Sequence, residues 1–199
     1  MAITNGYATL AEVKARLGIT DSTDDSILEQ VVEAASRAID NYCGRHFYQK
    51  TSTTLYLTGE FGDLLLVPDL VSVTTLKTDD DGDRTYEATW TTSDYDLSPY
   101  NASEFSKPYT RIETTPNGNY SFPTTAKGIE IAGTWGWPAV PDEVNEACLL
   151  QAEILFKRKD AIFGVLAGGE FGQPVRISKL DPQVGMLLMP LRRVRLGVV

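Results

Sequence analysis

The chain has 199 residues, 42% hydrophobic and 23% charged, with a net charge of −9. That composition is globular, and the length suits one domain or one domain carrying an insertion. It excludes a transmembrane-helix protein, because no run approaches about 18 apolar residues. It also argues against a protein that grips nucleic acid, which needs a basic face to release counterions. The acidity is uneven. Residues 1–140 hold 10 Lys+Arg against 20 Asp+Glu, whereas residues 141–199 hold 8 against 7. After residue 180, Arg192, Arg193 and Arg195 face Asp181 alone. The N-terminus MAITNGYATLAEV has neither a basic nor an apolar leader region, so no secretory signal is predicted. Two cysteines, Cys43 and Cys148, are too few for a disulfide framework or a zinc site and read as buried free thiols of a protein made in a reducing cytosol.

Thr9 to Leu17 predicts a short helix. Thr9 and Glu12 have capping-box spacing, Leu10, Val13 and Leu17 share a face, and Gly18 can cap the end. A polar turn over 21–25 leads to a second helix, Ser26 to Cys43. Its predicted apolar face is Ile27, Leu28, Val31, Ala34, Ala35, Ala38, Ile39 and Tyr42, and Gly44 ends it. From Arg45 the period becomes two. Strands are predicted at Thr53–Leu57, Leu64–Val67, Val71–Leu76, Tyr86–Thr91, Tyr109–Glu113 and Gly128–Trp135, with an irregular loop at 98–108. Pro141 opens a third helix, Asp142 to Lys159, whose acidic start and basic end suit the helix dipole. Four glycines within 161–174 predict a mobile loop. Asp181 and Pro182 are N-cap and first position of a last short helix, to about Met189.

The fold class is therefore α+β. A helical core, 1–45 with 141–180, carries a β-rich insertion, 46–140, and ends in a docking segment, 181–199.

No catalytic, cofactor or metal constellation is predicted. Asp79-Asp80-Asp81-Gly82-Asp83 suggests a calcium loop. With Gly82 at the sixth position, however, the first and twelfth positions are Lys77 and Ala88, so the run reads as a solvated hairpin tip. Cys43 lies near His46, the only histidine, yet nothing supplies an orienting group or an oxyanion hole. Trp135 and Trp137 read first as packing against the following helix, then as interface anchors, and last as a sugar platform. In the glycine loop, Phe163, Val165, Leu166 and Phe171 offer apolar contacts. In the tail, Met186, Leu187 and Leu188 with Arg192, Arg193 and Arg195 either dock on their own domain or insert into a partner.

Six segments stand out together: YATLAEVKARLGI (7–19), the acidic-to-aromatic helix run of 24–48, LVSVTTL (70–76), PYTRIE (108–113), GTWGWPAVPDEVNEACLLQAEILFKRKDA (133–161) and DPQVGMLLMPLRR (181–193). This ordered set resembles the head–tail connector, or adaptor, family of tailed bacteriophages and gene-transfer particles. The resemblance implies a non-enzymatic virion protein, synthesised in the bacterial host cytoplasm and placed at the head–tail junction. It implies a homo-oligomeric ring, usually dodecameric, beneath the portal protein, with a stopper or tail-terminator protein on the other side and DNA passing through the lumen. It implies portal contact through the C-terminal part, hence through Met186, Leu187, Leu188, Arg192, Arg193 and Arg195, with Phe163, Val165, Leu166 and Phe171 as a second interface. Some family members are short and almost wholly helical, and this chain departs from them by its β-rich block. Alternatives are another neck or tail ring component (a stopper or tail terminator), a carbohydrate- or peptide-binding module, which requires an exposed Trp135, and an enzyme using Cys43 and His46.

Overall fold

A computed structural model describes residues 2–116, 118–158 and 180–193, together with the backbone of 165–166 and 175–176. The chain is α+β and forms two compact units, one from 1–47 with 140–199 and one from the single segment 48–139.

In the first unit, α1 (Leu10–Leu17) begins at the N-cap Thr9. The Thr9 hydroxyl accepts from the Glu12 N–H, and the Glu12 carboxylate accepts from the Thr9 N–H, closing a capping box. Gly18 ends it in the left-handed region, and Gly44 ends α2 (Asp25–Cys43) in the same way. The buried stripe of α2 is Leu28, Val32, Ala35, Ser36, Ile39 and Cys43. It packs on α3 (Asp142–Lys157) through Val144, Ala147, Cys148 and Ala152, where small side chains let the helices approach. Ser36 and Cys148 meet at 3.5 Å inside this seam. Arg16 ties α1 to α3 by ion pairs to Glu146 and Glu153, both at 3.0 Å.

Tyr7 is the polar hub of the unit. Its hydroxyl donates to Asp40 and accepts from the Phe47 N–H at 2.8 Å. Its own N–H donates to the Ser36 hydroxyl at 3.0 Å, and its carbonyl accepts from Asn145 at 2.8 Å. Burial first, then the bond to the Asp40 carboxylate, raises the Tyr7 phenol far above its ordinary value.

The second unit is one antiparallel sheet in the order β1 (Lys50–Leu57), β6 (Ile129–Trp135), β2 (Leu64–Thr78), β5 (Tyr109–Thr114) and β4 (Tyr95–Ser98). The short β3 (Ala88–Trp90) pairs with the end of β2. Two predicted strands are here one. Pro68, which lies between the two predicted runs, falls in a register shift of the β2–β5 ladder between Leu66 and Leu70, and pairing with β6 begins at Leu70. A proline is tolerated at such a register shift because no ladder donor is required of it. The four-residue β4 was not predicted. One face of the sheet carries the core, with Leu65, Leu70, Leu76, Ile112, Ile129 and Ile131 around Trp90. The Trp90 ring stacks on Phe122 at 4.7 Å and on Tyr120 at 5.3 Å, and its N–H reaches the Thr78 hydroxyl at 3.1 Å.

Candidate functional site

The C-terminal helix α4 (Pro182–Leu188) starts at Asp181, whose carboxylate accepts from the Gln183 N–H at 2.8 Å. The Asp181 N–H in turn donates to Gln151 of α3 at 3.2 Å. The helix packs on α3, with Val184 and Leu188 fully buried, while Met186 is 76% exposed. A 3₁₀ turn, Met189–Leu191, follows, with Met189 70% exposed. The Arg193 N–H then donates to the Cys43 carbonyl at 2.8 Å, and the Arg192 guanidinium stands over the Tyr42 ring at 4.9 Å. The Tyr42 hydroxyl donates to the Gly185 carbonyl at 3.3 Å. Tyr42, Leu180, Pro182, Gly185, Met186 and Met189, with Asp181 as the one charged member, line a shallow depression.

The predicted C-terminal contact residues thus divide by position. Met186, Arg192 and Arg193 are exposed and Leu187 is half-buried. Leu188 is not available as an outward contact: it lies two positions beyond Met186, about 200° around the helix, and seals the α4–α3 seam. Arg195 lies outside the described residues. So do Phe163 and Phe171. The backbones of Val165 and Leu166 form β7, paired antiparallel with β8 (Val175–Arg176), where a loop had been expected. Met189 was missed as a contact candidate, although the unbroken run MLLMPL held the signal.

The rival sites have structural explanations. Cys43 and Cys148 are buried free thiols, and burial raises the Cys43 thiol to about 11, which leaves it protonated and inert near neutrality. Trp135 and Trp137 are 2% and 5% exposed. The Trp135 N–H donates to the Thr53 carbonyl at 2.8 Å and the Trp137 N–H to Asp69 at 3.2 Å, so neither ring is a platform. Gly136 between them has φ 106°, and a Cβ there would sit 2.1 Å from the Tyr48 carbonyl oxygen, which explains the Trp-Gly-Trp spelling.

Carboxylate oxygens of Asp79, Asp81 and Glu87 lie within 4.8 Å of one another. The two Asp79 oxygens accept from the N–H groups of Gly82 at 2.7 Å and Arg84 at 2.9 Å. Burial pushes this carboxyl up, but the backbone donors outweigh it and hold the group below its usual range. Those bonds account for the turn by themselves.

Residues 7–65 match a protein family described as phage gp6-like head-tail connector protein. No curated protein matches the chain. Among solved structures, a chain in the neck of a native gene transfer agent (GTA) particle, computed with C12 symmetry, aligns over 100% of this chain and 96% of its own. Its TM-score is 0.59 and its identity 22%. A chain in the neck of an empty GTA particle, computed with C6 symmetry, has the same coverage, with TM-score 0.56 and 20% identity. A chain in the virion of a native GTA particle gives 0.57 and 21% over the same shares. At these identities the likeness is one of fold. It takes in the β unit, so the long β block has counterparts in fold.

Proposed function

We propose that this chain is a structural protein of the neck of a phage or gene-transfer particle. In this reading, copies form a ring, twelvefold in the particle, that joins capsid to tail and extends the DNA channel beneath the portal. The observation that carries it is a coincidence of two independent likenesses. The connector-family match falls on α1, α2 and β1, and the fold likeness to neck chains extends across the whole sequence. The helical unit is read as the connector core and the sheet unit as its insertion. Portal protein is the partner of the C-terminal segment, through Met186, Met189, Arg192 and Arg193, with Leu187 at its margin. A stopper or tail terminator is the partner on the tail side. DNA passes without being gripped, which suits a chain of net charge −9. The reading is non-enzymatic: buried Cys43 offers no nucleophile, and buried Trp135 removes the sugar-platform alternative.

Deletion of the gene tests this. Cells lacking the protein should accumulate DNA-filled heads and separate tails, and the purified protein added to that lysate should join them. Tailed particles formed without the protein would contradict the proposal.

A further inference from the structure

α2 has two apolar sides, and among the described residues only one is fully buried. The core takes Leu28, Val32, Ala35, Ser36, Ile39 and Cys43. Ile27, Val31, Ala34, Ala38 and Tyr42 recur at spacings of four, three, four and four residues, about 110° around the helix from that stripe. Ile27 is 41% exposed, Ala34 is exposed, and Val31, Ala38 and Tyr42 are half-buried. The strip ends at Tyr42, beside the depression whose Met186 and Met189 are assigned above to the portal and which Asp181 also lines.

We propose that this outer face of α2 is one side of the contact between neighbouring copies in the ring; the inference rests on the ring reading above. Charge selects the occupant. Identical copies of a chain carrying −9 repel one another, so their contact strip should hold no ionic group. None of the five residues is charged, and Gln30 and Asn41, which border the strip toward solvent, are uncharged as well; ionic groups meet it at the Tyr42 end, where Arg192 stands over that ring and Asp181 lines the depression. A basic partner or DNA would be met by carboxylates or cations instead. Ala34 and Ala38 let another helix approach closely. Size points the same way. Five residues fall well short of the roughly 20–30 residues a side of a stable two-body interface. A ring suits such a patch, because each subunit closes two contacts and the closed circle supports all of them.

The test is made on the full chain with purified portal rings. Wild type is first mixed with portals and examined by negative-stain electron microscopy for an added layer; its absence overturns the ring reading and the inference with it. Ala34→Glu, at an exposed helix position, should keep the wild-type circular dichroism and melting temperature. It should lower the fraction of portals bearing a layer by about tenfold or more. A full layer from Ala34→Glu, where wild type also forms one, overturns the inference and leaves the ring reading standing. The thiol introduced by Ala34→Cys gives a second readout, since both native cysteines are buried. It should react with maleimide readily in the free chain and about tenfold more slowly in the assembled layer. An equal rate in both states would place the contact elsewhere.

Discussion

Replacing Leu188 by alanine removes about three methylene equivalents from the seam between α4 and α3. Leu188 is fully buried, so the transfer cost alone is about 2.4 kcal/mol at ~0.8 kcal/mol per methylene. A residual cavity raises the total to roughly 3–5 kcal/mol, because both helices are anchored and collapse onto the gap only partly. Met186, two residues earlier and 76% exposed, should cost under about 0.5 kcal/mol on the same substitution. Urea unfolding of both variants measures the two values. Portal co-sedimentation of each folded variant then separates stability from docking. Leu188→Ala should shift the unfolding midpoint, and Met186→Ala should weaken docking without shifting it. If Leu188→Ala were neutral in urea yet failed to dock, Leu188 would be an outward contact and the α4 seat described here would be wrong. The same geometry makes the docking segment expected at 181–199 part of the fold's packing: deleting it uncovers the apolar surface that Val184 and Leu188 seal.

Tyr7→Phe should destabilise by about 1–3 kcal/mol in urea, since it leaves Asp40 and the buried Phe47 N–H without their shared partner; a neutral substitution would remove Tyr7 as the hub. Glu153 is held below its ordinary value near 4.5, first by its bond to Lys157 and then by Arg16. A carboxyl depressed on folding contributes stability that is present above the unfolded value and lost as pH falls through the folded one. Wild type should therefore lose stability on acidification from about pH 5, and Glu153→Gln should lose less over that interval; parallel pH profiles would count against the pair. Cys43 and Cys148 should resist a thiol reagent at pH 8 until the protein is unfolded. Labelling of the native protein would mean that these sites open.

Helix limits were legible where one residue dictates them. The Thr9–Glu12 box and the glycines at 18 and 44 bound α1 and α2 in the sequence as they do in the fold. The β unit was less legible because pairing partners override local punctuation. Pro68 does not break β2, because the β5 ladder shifts register around it and resumes at Leu70, and β4, only four residues with Asp96 among them, exists because β5 supplies its ladder. The face of α2 shows the limit of periodicity. Leu28, Ala35 and Ile39 were assigned to the core correctly, but Ile27, Val31, Ala34, Ala38 and Tyr42 satisfy the same spacing and lie on another side. Ser36, being polar by type, was passed over, although it accepts the Tyr7 N–H in the core. In the tail, MLLMPL is apolar all round, so no pattern tells the buried Leu188 from the exposed Met186 and Met189. Only the position of α3 decides it.

The neck assignment itself is tested most directly by image classification of portal rings incubated with an excess of this protein. A coaxial layer should form at one end of the portal, with twelve copies around the axis, and should be lost when Met186, Met189, Arg192 and Arg193 are replaced together by serine. Bare portals beside well-folded protein would contradict the neck assignment.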